Sequence, residues 1–136
     1  MIDKNSFIDF KKDSIYMSVT LSHLIKNELK LEDMRAGKAY PCNIKIMSFE
    51  DDKVVFKKLK SIKKVKVSKV KTLTFNKTGI QSLTCDEVTA KKIGDKVKGL
   101  RDTFNLASSK DAKTDYLYDL NVEGGRYVVN GMLIYE

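Results

Sequence analysis

The chain has 136 residues, 42% of them hydrophobic and 32% charged, with 26 Lys+Arg against 18 Asp+Glu for a formal net charge of +8. A chain of this size buries roughly two thirds of its unfolded surface, so one domain over 1–136 is expected rather than disorder. Two cysteines without a CxxC pair and a single histidine argue against a scaffold held by disulfides or zinc.

The segment Met1–Ser6 has no apolar core of a signal peptide, and the longest apolar run is Met132–Tyr135. We therefore expect neither secretion nor a membrane span, and a cytoplasmic location. Phe7, Ile8 and Phe10 between charges suggest a short helical turn. Ile15, Met17, Val19 and Leu21 alternate with polar or aromatic residues, which predicts a half-buried strand. Leu21, Leu24, Ile25 and Leu29 suit one face of a short helix, and Gly37 is placed to take a positive φ in the turn that follows. Ile44 and Ile46 on one face, then Glu50-Asp51-Asp52-Lys53, then Val54-Val55-Phe56 read as a hairpin, with Pro41 at a strand entry. The run from Val65 to Phe75 alternates with a slip in phase, for which a bulge near Ser68 and Lys69 would account.

Thr84-Cys85-Asp86-Glu87 matches a capping box, and Ala90, Ile93, Val97, Leu100 and Phe104 recur at spacings of three and four, so the pattern predicts one long amphipathic helix over 85–105. Ser108–Lys113 reads as a polar loop. A three-stranded meander follows, with Asp115–Val122, Arg126–Val129 and Met132–Tyr135 separated by turns at Gly124-Gly125 and Asn130-Gly131. The expected fold class is thus α+β and β-rich: a small, SH3-like barrel or a curved antiparallel sheet, with one helix and a C-terminal meander. Within it, a basic β half spans 14–80, and the helix with the meander spans 84–136.

Charge is the strongest functional signal. From Lys53 to Cys85 there are ten lysines and no acidic residue, which leaves 16 basic and 18 acidic residues elsewhere. Clustered charge makes a directed field, and this points to an anionic partner. Only Arg35, Arg101 and Arg126 are arginines, a composition that resembles low-GC bacteria and many of their phages; for a phage-encoded chain the expected compartment is the host cytoplasm. Lysine neutralises phosphate without the fork that reads guanine, so backbone contact with little sequence preference is expected. The candidate nucleic-acid-binding residues are Lys57, Lys58, Lys60, Lys63, Lys64, Lys66, Lys69 and Lys71, spaced about 7 Å apart at alternate strand positions. No aromatic interrupts Lys57–Thr74, which favours duplex DNA or structured RNA over stacked single strands. The alternative is docking on an acidic protein, as a virion component or an inhibitor, with the lysines steering association.

Chemistry is sparsely supported. His23 stands alone, Cys42 and Cys85 have no adjacent base, Glu50-Asp51-Asp52 reads as a turn, and Gly124-Gly125 lacks the spacing of a phosphate loop. A non-enzymatic binding protein without catalytic residues, metal or cofactor is the expectation.

Overall fold

The computed structural model describes residues 1–77 and 79–135, the side chains of 76, 77, 79 and 80 excepted, so the Lys77 ammonium lies outside the described part. Among the described residues eleven strands form one antiparallel sheet: β1 (Phe7–Lys12), β2 (Ile15–Thr20), β3 (Ala39–Glu50), β4 (Lys53–Lys66), β5 (Val70–Lys77), β6 (Gly79–Asp86), β7 (Lys96–Lys98), β8 (Thr103–Ala112), β9 (Tyr116–Val122), β10 (Arg126–Val129) and β11 (Met132–Tyr135). The helical pieces are α1 (Leu21–His23), which runs into a π turn over Leu24–Glu28, and α2 (Glu87–Ile93), with a 3-10 turn at Glu123–Gly125.

Three two-residue turns set the register. The residues Asp51 (φ 51°) and Asp52 (φ 61°) join β3 to β4, and Asn130 (φ 52°) and Gly131 (φ 77°) join β10 to β11. Positive φ at both central positions matches the twist of the flanking strands. The turn after β1 carries Asp13 at φ 56°. Here Ile8 and Phe10 alternate inward with charged neighbours outward, so Phe7–Lys12 is a strand rather than the expected helical turn. The period of two prevails over an aromatic spacing too short to define a helix.

Strand order runs β6-β5-β8-β7-β11-β10-β1-β3-β4-β9, with β2 on β1. The sheet is curved around a core that includes Phe10, Ile46, Leu59, Phe75 and Tyr127, all fully buried, but it is not a closed barrel. A smaller outer cluster gathers Met47, Phe49, Val128 and Leu133.

The long helix expected over 85–105 is not formed. Instead α2 stops at Gly94 (φ 63°), whose N–H donates to the Ala90 carbonyl at 3.1 Å. The chain then turns into β7 and β8, with the Gly99 N–H donating to the Asp102 carbonyl at 2.7 Å. A Cβ at Gly99 would meet Phe104 Cε2 at 2.5 Å, so any larger residue in this close turn would force the Phe104 ring to shift. Two glycines each cost about 1 kcal/mol of helix propensity relative to alanine, and strand pairing competes successfully with a weakened helix. Nor does Thr84 cap it: Asp86 is the N-cap, and the Thr84 hydroxyl meets that of Thr72 at 2.9 Å across β5 and β6. Two other expectations also change. Ser108–Lys113 belongs largely to β8, paired with β5, and the slip near Ser68 is a break between β4 and β5 rather than a bulge. The last three strands exist as read, yet β9 pairs with β4 while β10 and β11 pair with each other, so they are no meander.

The two ends of the sheet meet at the first residues. The Ile2 N–H donates to the Tyr118 carbonyl (3.0 Å) and the Tyr118 N–H to the Ile2 carbonyl (2.7 Å), while the Asp3 N–H donates to the Thr84 carbonyl (3.2 Å). Ile2 thereby bridges β9 to β6 opposite Cys85. Among the described residues no helix is long and apolar enough to cross a membrane.

Candidate active site at the N-terminal seam

The lysines singled out in the sequence lie on two strands and in the break between them. Strand β4, carrying Lys57, Lys58, Lys60, Lys63, Lys64 and Lys66, lies between β3 and β9, whereas Lys71 is on β5 between β6 and β8, with Lys69 in the break before it. Lys57 pairs with Glu50 across the hairpin (Nζ to Oε1 2.7 Å) and Lys71 pairs with Asp111. The Lys64 ammonium stands 4.3 Å from the centroid of the Tyr116 ring. Lys58 is brought opposite Lys45, which faces Lys11. Sequence counting could not show that acids from β8 and the β3 end would return to neutralise part of the run.

A different set converges at the seam. Asp86 and Thr89 flank the start of α2, and the nitrogen of Met1 lies between them, 2.9 Å from Asp86 Oδ1 and 3.0 Å from Thr89 Oγ1. The Thr89 hydroxyl donates to the same Asp86 oxygen at 2.6 Å. These contacts exist because the Ile2 bridge fixes the chain direction at the seam while α2 starts where β6 ends. Burial pushes the Asp86 carboxyl up, but the hydrogen bonds from Thr89 and from the Met1 ammonium outweigh it and hold the group below its ordinary value.

The sign of the resulting pH dependence follows. A carboxyl whose folded pKa is depressed contributes stability that is complete above its unfolded value and is lost as pH falls through the folded one. Urea-unfolding free energies of wild type and Asp86→Ala should therefore differ most near neutral pH. They should converge as the solution is acidified below the ordinary value of 3.8.

Cys85 sits on β6 opposite Ile2, fully buried, and burial followed by the adjacent Asp86 pushes its thiol up to about 12. Burial raises the Cys42 thiol to about 11. Both are held as thiols at neutral pH, which makes them weak nucleophiles. His23 lies in α1, its Nδ1 3.0 Å from the Asn27 amide nitrogen. Among the described residues no group of three His, Cys, Asp or Glu is placed to hold a metal ion. The seam's one sequence signal was the spacing Asp86-x-x-Thr89 at a helix start; the approach of Met1 from 85 residues away had none.

No family model matches the chain, and no curated protein does either. Solved structures do. The fold superposes on a transcription factor IIB Mvu mini-intein with a TM-score of 0.74 at 14% identity, covering 100% of both chains. It superposes on the Pab PolII intein at 0.73 and 15%, again over 100% of both. For a DnaB intein from Synechocystis sp. PCC 6803 the values are 0.67 and 13%, over 98% of this chain and 96% of that one. At such identities the likeness establishes the fold, which is that of the inteins. It overturns the expectation of a nucleic-acid-binding protein or of a factor docking on an acidic protein, because the structural neighbours are protein-splicing domains, which act within their own precursor. The expectation of a non-enzyme conflicts with the same finding, since splicing is self-catalysed.

Proposed function

We propose that this chain is a self-processing domain that acts in cis, and that its working bond is the amide on the N-terminal side of residue 1. The observation that carries this reading is the nitrogen of residue 1 held between Asp86 and Thr89 at the seam of an intein-type fold. Residues 1–136 work as one unit in this reading, because the pair that grips residue 1 comes from the start of α2.

When residue 1 is joined to a preceding residue, its nitrogen is an amide and the scissile bond is the one from the preceding carbonyl carbon. An attacking hydroxyl, thiol or water forms a new bond to that carbon, the carbon–nitrogen bond breaks, and its electron pair goes to nitrogen. That nitrogen must gain the proton that the nucleophile loses. Thr89, hydrogen-bonded to Asp86, lies within reach to relay it, and the Asp86 carboxylate stabilises the ammonium that results. The Met1 thioether has no proton to lose and forms no stable ester, so the nucleophile for this bond comes from outside residue 1.

A precursor carrying a folded protein before Met1 tests the proposal by mass spectrometry. Wild type should release, slowly and independently of added thiol, a chain that begins at Met1. Met1→Cys supplies an internal nucleophile and should cleave with added thiol at least tenfold faster; adding Asp86→Ala should remove most of that gain. A folded Met1→Cys precursor that stays intact in thiol would overturn the reading, as would a wild-type precursor that never releases the chain.

A further inference from the structure

Among the described residues three edges belong to strands with a single strand neighbour. Two of them, on β6 and β9, are tied by the chain's first residues: the Asp3 N–H reaches Thr84, and Ile2 exchanges both hydrogen bonds with Tyr118. The third is β2, which pairs with β1 along all six residues and with no other strand among those described. Such edges are ordinarily blunted by charge, proline or a bulge, because unpaired N–H and C=O groups recruit another strand. β2 has none of these. Its sequence, Ile15-Tyr16-Met17-Ser18-Val19-Thr20, holds no charged residue in a chain that is 32% charged, and its register with β1 is unbroken. At its start Ile15 and Tyr16 are 60% and 53% exposed.

We infer that β2 is a self-association edge, on which the β2 of a second copy pairs antiparallel to extend the sheet. Alternation makes the strand complementary to itself. A twofold axis normal to the sheet keeps every residue on its own face only when residues of like parity pair. Met17 then faces Met17 of the second copy, with Ile15 opposite Val19, or Ser18 faces its own counterpart, with Met17 opposite Val19. In both registers apolar residues meet apolar ones, Tyr16 meets Ser18 or Thr20, and no like charges are opposed within the paired strands. A second copy of β2 thus matches it position by position, apolar to apolar and polar to polar, with no charge left opposite a like charge, and this self-complementarity makes the second copy the occupant.

Sedimentation equilibrium of the whole chain from micromolar to near-millimolar concentration tests this. The wild-type mass should rise from one chain to two. Ser18 is exposed, faces away from the core and lies opposite Asp9 on β1, so Ser18→Lys should keep or slightly raise the wild-type melting temperature and Ser18→Glu should lower it slightly with the chain still folded, and each should remain at the mass of one chain. Mixing the two variants should restore the two-chain mass through opposite charges across the new strand pair. A wild type that stays at one chain throughout, or a dimer equally strong in both variants, would overturn the inference. So would a two-chain mass in the wild type that the mixed variants fail to recover. Outcomes here are independent of cleavage at residue 1.

Discussion

Replacing Ile2 with alanine should lower the free energy of unfolding by about 3 kcal/mol, within the usual span for removing a large aliphatic side chain from a tight core. Ile2 is 0% exposed and belongs to the main core. Its backbone also supplies the two hydrogen bonds with Tyr118 that join β9 to the seam. Alanine retains that backbone but leaves a cavity beneath it, so the loss should appear as seam opening before global unfolding. Urea denaturation measures the total. Hydrogen exchange at the Tyr118 amide, which donates to the Ile2 carbonyl at 2.7 Å, measures the local part and should speed up more than the amides of β10 and β11. Unchanged protection at Tyr118 in a destabilised variant would show that the seam is held by something other than Ile2.

The second large effect is expected at Asn130. Its Oδ1 accepts from the Phe7 N–H and its Nδ2 donates to the Ser82 carbonyl, each at 2.7 Å, so one side chain ties the β10–β11 turn to the start of β1 and to β6. Its backbone is left-handed, with φ 52°, a conformation that asparagine tolerates better than alanine. Both hydrogen bonds reach solvent, so each is worth somewhat less than the usual ~1 kcal/mol. With the backbone penalty added, Asn130→Ala should cost about 2 kcal/mol in thermal or urea unfolding. Asn130→Gly removes the side chain but suits the left-handed turn, and should cost about half as much. Equal losses in the two variants would mean that strain at this turn contributes nothing.

Local pattern was informative where one strand or turn decides its own conformation. The alternation in Ile15–Thr20 and the Asn130-Gly131 turn were readable because strand periodicity and positive φ are properties of a few adjacent residues. The reading of 85–105 failed for a related reason: Ala90, Ile93, Val97, Leu100 and Phe104 hold helical spacing, but they are shared among α2, β7, the following turn and β8. Apolar spacing shows which residues are buried and leaves open which hydrogen-bonding partner takes the backbone.

The lysine run shows the same division. Its charge was countable residue by residue, while the carboxylates that answer it, Glu50 for Lys57 and Asp111 for Lys71, arrive through strand pairing, the second of them 40 residues along the chain. The candidate site was less legible still. Asp86 and Thr89 could be seen near a helix start, but Met1 carries no chemical signal of its own, and only curvature that brings β6 and β9 together sets its nitrogen between them.

Composition and periodicity alone determined that this chain is β-rich, where several of its strands and turns lie, and that its positive charge is concentrated in one segment. The tertiary structure decided strand order, the early end of α2, the intein-type architecture and the convergence at residue 1. Strand order depends on pairing between residues far apart in sequence. Those contacts gain their energy from burial and backbone hydrogen bonds available to many alternative partners, so no local pattern of residues specifies them in advance.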